Sequence, residues 1–139
     1  MSAAADFAAR FAAYWRAPSV AGLDALLAPE VRLVAPMTPA TNSLDQGKRA
    51  FATILDLVPD LTGEVHAWGA TEDGLLVEFT LSGSVAGVPI SWPAVDRIVL
   101  GPDGLATERV SYFDTAPLAL SVARHPRTWP AFLRSRLRR

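Results

Sequence analysis

The chain has 139 residues, half of them hydrophobic, which is enough for the core of one domain and excludes a separate catalytic domain. It has no cysteine, so a disulfide framework, a thiolate nucleophile and cysteine-ligated zinc are excluded, and compartment cannot be read from redox chemistry. Net charge is −1, but Arg124, Arg127, Arg134, Arg136, Arg138 and Arg139 follow residue 114 with no acid among them, which leaves seven basic residues against all fourteen acids in the first 114.

The opening MSAAADFAARFAAYW carries Asp6 and Arg10 within its apolar run, which spoils both a signal-peptide core and a membrane span, so a soluble cytoplasmic protein is expected. Residues 3 to 16 read as a helix with Phe7, Phe11 and Tyr14 at helical spacing and Trp15 beside them, closed by Pro18. Ser19 can cap a second short helix reaching Leu27, and Val31 to Val34 reads as a short strand before the loop APMTPATN. Ser43 with Gln46 three residues on resembles a capping box, opening a third helix whose Phe51, Ile54, Leu55 and Val58 face inward until Pro59. A meander follows over residues 62 to 70, 75 to 84, 90 to 100 and 105 to 113, punctuated by TEDG, the Gly83 to Gly87 region and GPDG. Residues 116 to 123 and 129 to 137 return to helix. Helices followed by antiparallel strands define an α+β fold, with helices covering one face of a curved sheet.

The stretch WPAVDRIVLGPDGLATERVSYFD carries the chemistry. Alternation puts Trp92, Ala94, Asp96, Ile98 and Leu100 on one face of the first strand and Leu105, Thr107, Arg109, Ser111 and Phe113 on one face of the second. With Gly101 to Gly104 as the loop, Leu100 pairs with Leu105, Ile98 with Thr107 and Asp96 with Arg109. A carboxylate and a guanidinium then meet on an oily surface, which suits a small-molecule pocket. By the same counting from the TEDG turn, Ala70 opposes Leu75, Trp68 opposes Val77 and His66 opposes Phe79, so the imidazole faces the apolar side, where it is suited to move a proton near neutrality. Glu78 faces the other way.

These features resemble the nuclear transport factor 2-like superfamily, and within it the SnoaL-like polyketide cyclase and ketosteroid isomerase-like group, over residues 5 to 120. The resemblance rests on the aromatic first helix (Phe11, Tyr14, Trp15), LDALLAPEVRLVAP, the terminal hairpin with its turn at Asp103 and Gly104, and the closing Tyr112 to Asp114. It implies a cone-shaped curved antiparallel sheet with three N-terminal helices packed on its concave face, a cystatin-like α+β barrel, around a deep apolar pocket, often in a homodimer packed through the sheet. Residues 1–120 form the cone and residues 121–139 a basic helical tail of the same domain. The isomerase's general-base aspartate falls at Ala35 and its oxyanion tyrosine at Phe11, so only its oxyanion aspartate is matched, by Asp96. Of the limonene epoxide hydrolase set, the last aspartate matches Asp114, the first falls near Glu78 and the arginine near Leu76.

Each candidate has a structural alternative. Asp96 and Arg109 are either a buried structural pair or catalytic groups, with functional retention favoured because buried pairs add little stability. Asp114 either caps the helix that starts near Pro117 or acts in the site. Trp15, Trp68, Trp92, Phe79 and Phe113, with Phe11, Tyr14 and Ser111, are candidates for the ligand wall, or else plain core. The basic tail either folds back on the acidic body or meets an anionic partner; its Trp129, Phe132, Leu133 and Leu137 are spaced for one helical face, and no nucleic-acid motif accompanies them. No metal constellation, nucleotide loop or nucleophile elbow is present, so neither cofactor nor metal is expected. Two functions fit: a cofactor-free acid/base enzyme of isomerase, cyclase, dehydratase or epoxide hydrolase type acting on a hydrophobic oxygenated molecule, with Asp96, Arg109, His66 and Asp114 as catalytic candidates; or a non-catalytic ligand-binding or dimeric scaffold protein.

Overall fold

The alanine-rich start forms helix α1, Ala3–Arg16, in the computed structural model, which describes residues 2–137. The Ser2 hydroxyl accepts from the Ala5 amide at 3.1 Å, capping it, and Phe7, Phe11 and Trp15 bury one face. Arg10, on the flank of that face, donates to Asp6 at 2.9 Å and to the carbonyl oxygens of Ala25 and Gly104 at 2.6 and 2.9 Å. Arg10 thus ties α1 to two distant segments of the chain.

Ser19 accepts from the Gly22 amide at 3.0 Å as a cap should, but only a 3₁₀ turn forms, over Ala21–Ala25. The expected second helix is cut short because strand β1 starts earlier than expected, running Leu27–Ala35, with Leu27 already paired to Ala106 in the sheet. The segment read as a loop contains strand β2, Thr38–Thr41, antiparallel to β1. Helix α2, Leu44–Leu57, opens as expected: Ser43 accepts from the Gln46 amide at 3.2 Å, while the Gln46 side chain accepts from the Asn42 amide at 2.8 Å, one residue further out than in the usual box.

Strands β3 (Thr62–Ala70), β4 (Gly74–Val85), β5 (Val88–Leu100) and β6 (Ala106–Tyr112) complete a six-stranded curved, unclosed sheet in the order β2-β1-β6-β5-β4-β3. Every neighbour pair is antiparallel except β1 and β6, which run parallel, so the wholly antiparallel expectation is corrected at that seam. The reason is connectivity: α2 and four strands lie between the two, so no hairpin dictates their direction. On the concave face α1 lies against β3 and β4, and α2 against β1. Gly63 lets α1 approach closely, since a Cβ there would sit 3.0 Å from the Trp15 Cβ.

Beyond the sheet, helices α3 (Ala116–Arg124) and α4 (Trp129–Leu137) fall where expected, α3 against β5 and α4 against α2. The expected single apolar face of the tail is split: Phe132 packs on the core, whereas Leu133 and Leu137 are exposed and the Trp129 indole donates to the Val122 carbonyl at 2.7 Å. Arg134 and Asp56 line one recess between α4 and α2, so this part of the basic tail lies beside one acid of that helix. Arg138 and Arg139 lie outside the described residues. Among the described residues no helix is long and apolar enough to cross a membrane.

Candidate active site

The last hairpin determines what the concave face can do. Asp96 lies opposite Ser111 and Ile98 opposite Arg109, so the ion pair forms diagonally and not directly across, a correction of two residues to the expected register. The loop is longer than expected, closing through Gly101 N–H to the Leu105 carbonyl at 2.8 Å with Gly104 at φ +79°, so that Leu100 meets Ala106. A bulge then inserts Thr107 before Val99 meets Glu108. These two single-residue shifts restore parity, and Asp96 and Arg109 still share the concave side.

Arg109 Nε donates to Asp96 Oδ2 in a short hydrogen bond; Asp96 is wholly buried and the Arg109 side chain 20% exposed. The guanidinium also stacks near two rings of α1, its Cζ 5.8 Å from the Phe11 centroid and 5.6 Å from that of Trp15. With Nε engaged, its terminal N–H groups make no hydrogen bond with the described residues, and Arg109 and Ser111 contribute to the wall of a cavity of about 170 Å³. The remaining wall is largely apolar: Trp15, Phe79, Trp92 and Phe113 with Leu33, Phe51, Ile54 and Leu81, and the β1–β2 segment Ala35, Pro36, Thr38 and Pro39.

Four buried polar atoms lack a hydrogen-bond partner among the described residues: Trp15 Nε1, Trp92 Nε1, Thr41 Oγ1 and Asp96 Oδ1. Three belong to cavity-wall residues and the fourth to the partner of Arg109. The three on the wall are polar groups that whatever fills the hollow can engage.

Several expected site residues stand elsewhere. Val65 opposes Phe79 and Ala67 opposes Glu78, so His66 is the extra residue of a bulge; it is exposed, and its Nε2 lies 2.7 Å from Thr80 Oγ1. The expected pairing of His66 with Phe79 on the apolar side is therefore corrected. Trp68 opposes Val77 as expected, but β3 is an edge strand and the ring is 45% exposed, away from the cavity. Phe11 is buried core, edge-on to Phe79 at 5.2 Å between centroids, and does not reach the cavity wall. Tyr14 is likewise off the wall, donating to the Ser19 carbonyl at 2.8 Å. Asp114 is exposed and accepts from the Ala116 amide at 2.9 Å at the start of α3, the capping alternative. Glu78 is exposed on the convex side. The wall contributed by α2 and β2, including Ala50, Ile54 and Thr41, escaped sequence reasoning; the inward stripe of α2 was readable, but nothing local shows that it faces a hollow. Among the described residues no cluster of three or more histidines or acids could hold a metal ion.

Residues 8–109 match the model of the SnoaL-like domain, and the chain belongs to that family. Among solved structures the chain is similar to a protein from Jannaschia sp. CCS1 assigned as a SnoaL-like polyketide cyclase (19% identity, 87% of this chain and 90% of that one, TM-score 0.72). It is also similar to AclR of Streptomyces galilaeus, assigned as a hydroxylase (21%, 88% and 84%, TM-score 0.72), and to an NTF2-like protein of unknown function from Burkholderia pseudomallei K96243 (16%, 88% and 98%, TM-score 0.78). At these identities the likeness is one of fold. None of the curated proteins compared matches the chain.

Removing one member of the ion pair should cost more than removing both. Urea unfolding of Asp96→Ala is expected to lose about 3–5 kcal/mol, because an unpaired guanidinium stays behind, whereas Asp96→Leu with Arg109→Met recovers most of that loss. Tyr14 supplies a pH signature. Burial pushes its phenol up to about 12, against the opposing pull of the Arg109 charge. Because the unfolded phenol ionises near 10, this contribution to stability is complete below about pH 10 and is lost between there and about 12. Denaturation midpoints across that window should fall more steeply in the wild type than in Tyr14→Phe.

Proposed function

We propose that the protein is a cofactor-free enzyme acting on a hydrophobic, oxygenated small molecule, of isomerase, cyclase, dehydratase or epoxide hydrolase type. One observation carries the reading: a partly buried arginine, held by a wholly buried carboxylate, contributes to the wall of an apolar cavity with its terminal N–H groups unengaged by the described protein groups. Such a donor, fixed before the ligand arrives and shielded from water, stabilises negative charge that develops on a carbonyl or epoxide oxygen. Asp96 does not itself line the cavity, and its part is to position the guanidinium. The relatives assigned as polyketide cyclases and as a hydroxylase support a catalytic reading.

Binding without turnover is the second reading, and the placement of His66 and Asp114 away from the cavity favours it, since both proton carriers expected beside Asp96 are absent from the wall. Deuterium exchange separates the two. Cyclic ketones and β-diketones incubated with the protein in heavy water should exchange the proton next to the carbonyl in a pH-dependent way, and Arg109→Met should slow this by about 10²–10³-fold. Binding with no exchange at any pH overturns the enzymatic reading and leaves the binding one.

A homodimer packed through the sheet belongs to the same reading. It is supported by the convex face, where Leu76, Val95 and Tyr112 are exposed around the pairs Arg97–Glu108 (2.7 Å) and Arg32–Glu108 (3.5 Å). Val95→Arg is expected to convert the dimer to a monomer in light scattering; an unchanged mass in the variant would exclude that face.

A further inference from the structure

The size of the cavity limits what it holds. At about 170 Å³ it is close to the roughly 150 Å³ apolar cavity that takes up a benzene molecule. One six-membered ring or a short branched chain fills it, and anything larger must leave through its mouth.

Strand pairing sets the direction of that exit. Arg109 is level with Leu33 on the parallel strand β1, and one residue further along both strands Val110 is level with Val34. Ser111 and Phe113 therefore continue up β6 as Ala35 and Pro36 continue up β1, and all four are on the wall. Arg109 thus marks the deep end, and the β1–β2 turn marks the other. Just past that turn Thr38 and Pro39, the first two residues of β2, line the cavity and also line a second, solvent-open recess whose remaining wall includes Arg136 of α4. A group leaving the cavity past Thr38 and Pro39 enters a space faced by a guanidinium.

Arg136 is exposed and forms no ion pair among the described residues, in contrast to Arg109, whose charge Asp96 already neutralises. Its backbone is held in place: Phe132 packs on the core and the Ser135 hydroxyl donates to the Phe132 carbonyl at 2.8 Å. An arginine in the last turn of a helix also offsets the helix dipole. That role affects helix stability and does not distinguish a charged ligand from a neutral one.

Resting on the reading of the cavity as the ligand site, we infer that the natural ligand is a small acid: an apolar body of about one ring in the cavity, and a carboxylate or comparable anionic oxygen group at the mouth, held by Arg136. This makes Arg136 a specificity-determining residue. The C-terminal helices then supply part of the site, and the uneven charge of the chain places a cation where an acidic ligand enters.

Matched probes test it. Binding of 4-phenylbutanoate and of 4-phenylbutan-1-ol is measured by NMR titration of the Trp15 and Trp92 indole N–H signals, in the wild type, Arg136→Ala and Arg127→Ala. The wild type should prefer the carboxylate, and Arg136→Ala should weaken it about fivefold while leaving the alcohol unchanged. Arg127→Ala should change neither, and the preference should shrink as salt is raised. If both probes bind the wild type alike and Arg136→Ala changes nothing, the mouth inference is overturned while the cavity reading stands. If neither probe perturbs the two indoles, the cavity reading fails first and the inference falls with it.

Discussion

A carboxylate shut away from water holds a guanidinium against two aromatic rings, and the rest of the site depends on that contact. A wholly buried carboxylate calls for a paired cation, and Arg109 supplies it from beside Phe11 and Trp15. Together they form a locally neutral unit that the concave face tolerates. Their mutual attraction does little more than offset the cost of desolvating them, so the gain is directional: the guanidinium is aimed by two β-strands, which are stiffer than any loop.

The hollow beside this unit arises from small residues on separate elements. Ala35 on β1, Gly47 and Ala50 on α2 and Ala94 on β5 all contribute to its wall where larger side chains would fill it. Gly47 is tight against Leu33, so even an alanine there would push that leucine inward. Large aromatics, Trp15, Phe79, Trp92 and Phe113, then wall the space that the small residues leave. The outcome is a core with one deliberate gap, and the polar atoms left without partners are gathered around it.

The sequence made the elements readable because their punctuation is local: Ser43 as a cap, Pro18 and Pro59 as stops, and paired turn residues between strands. Register was harder, because it depends on bulges, which leave almost no local mark. Two shifts flank the final hairpin and cancel, so the facing of Asp96 and Arg109 is readable from alternation even though their partners are displaced. A single uncompensated bulge in β3 turns His66 to the opposite side. The difference between a right and a wrong residue thus lies in whether the slips number one or two. The cavity itself was not readable, since it is made by α2, β1 and β2 meeting β5 and β6, and no local pattern encodes that meeting.

The parallel seam between β1 and β6 has a consequence for how the protein comes into being. Leu33 finds its neighbour Arg109 only after α2 and four further strands have been made, so closing this seam costs the entropy of a very long loop. Hairpins β3–β4 and β4–β5 can zip as they leave the ribosome, whereas β1 must wait with its Val31 side uncovered. The hollow is consequently a late event of folding, assembled when the last strand of the sheet slots between the first and fifth, and a chain truncated before that strand has helices and hairpins but no hollow.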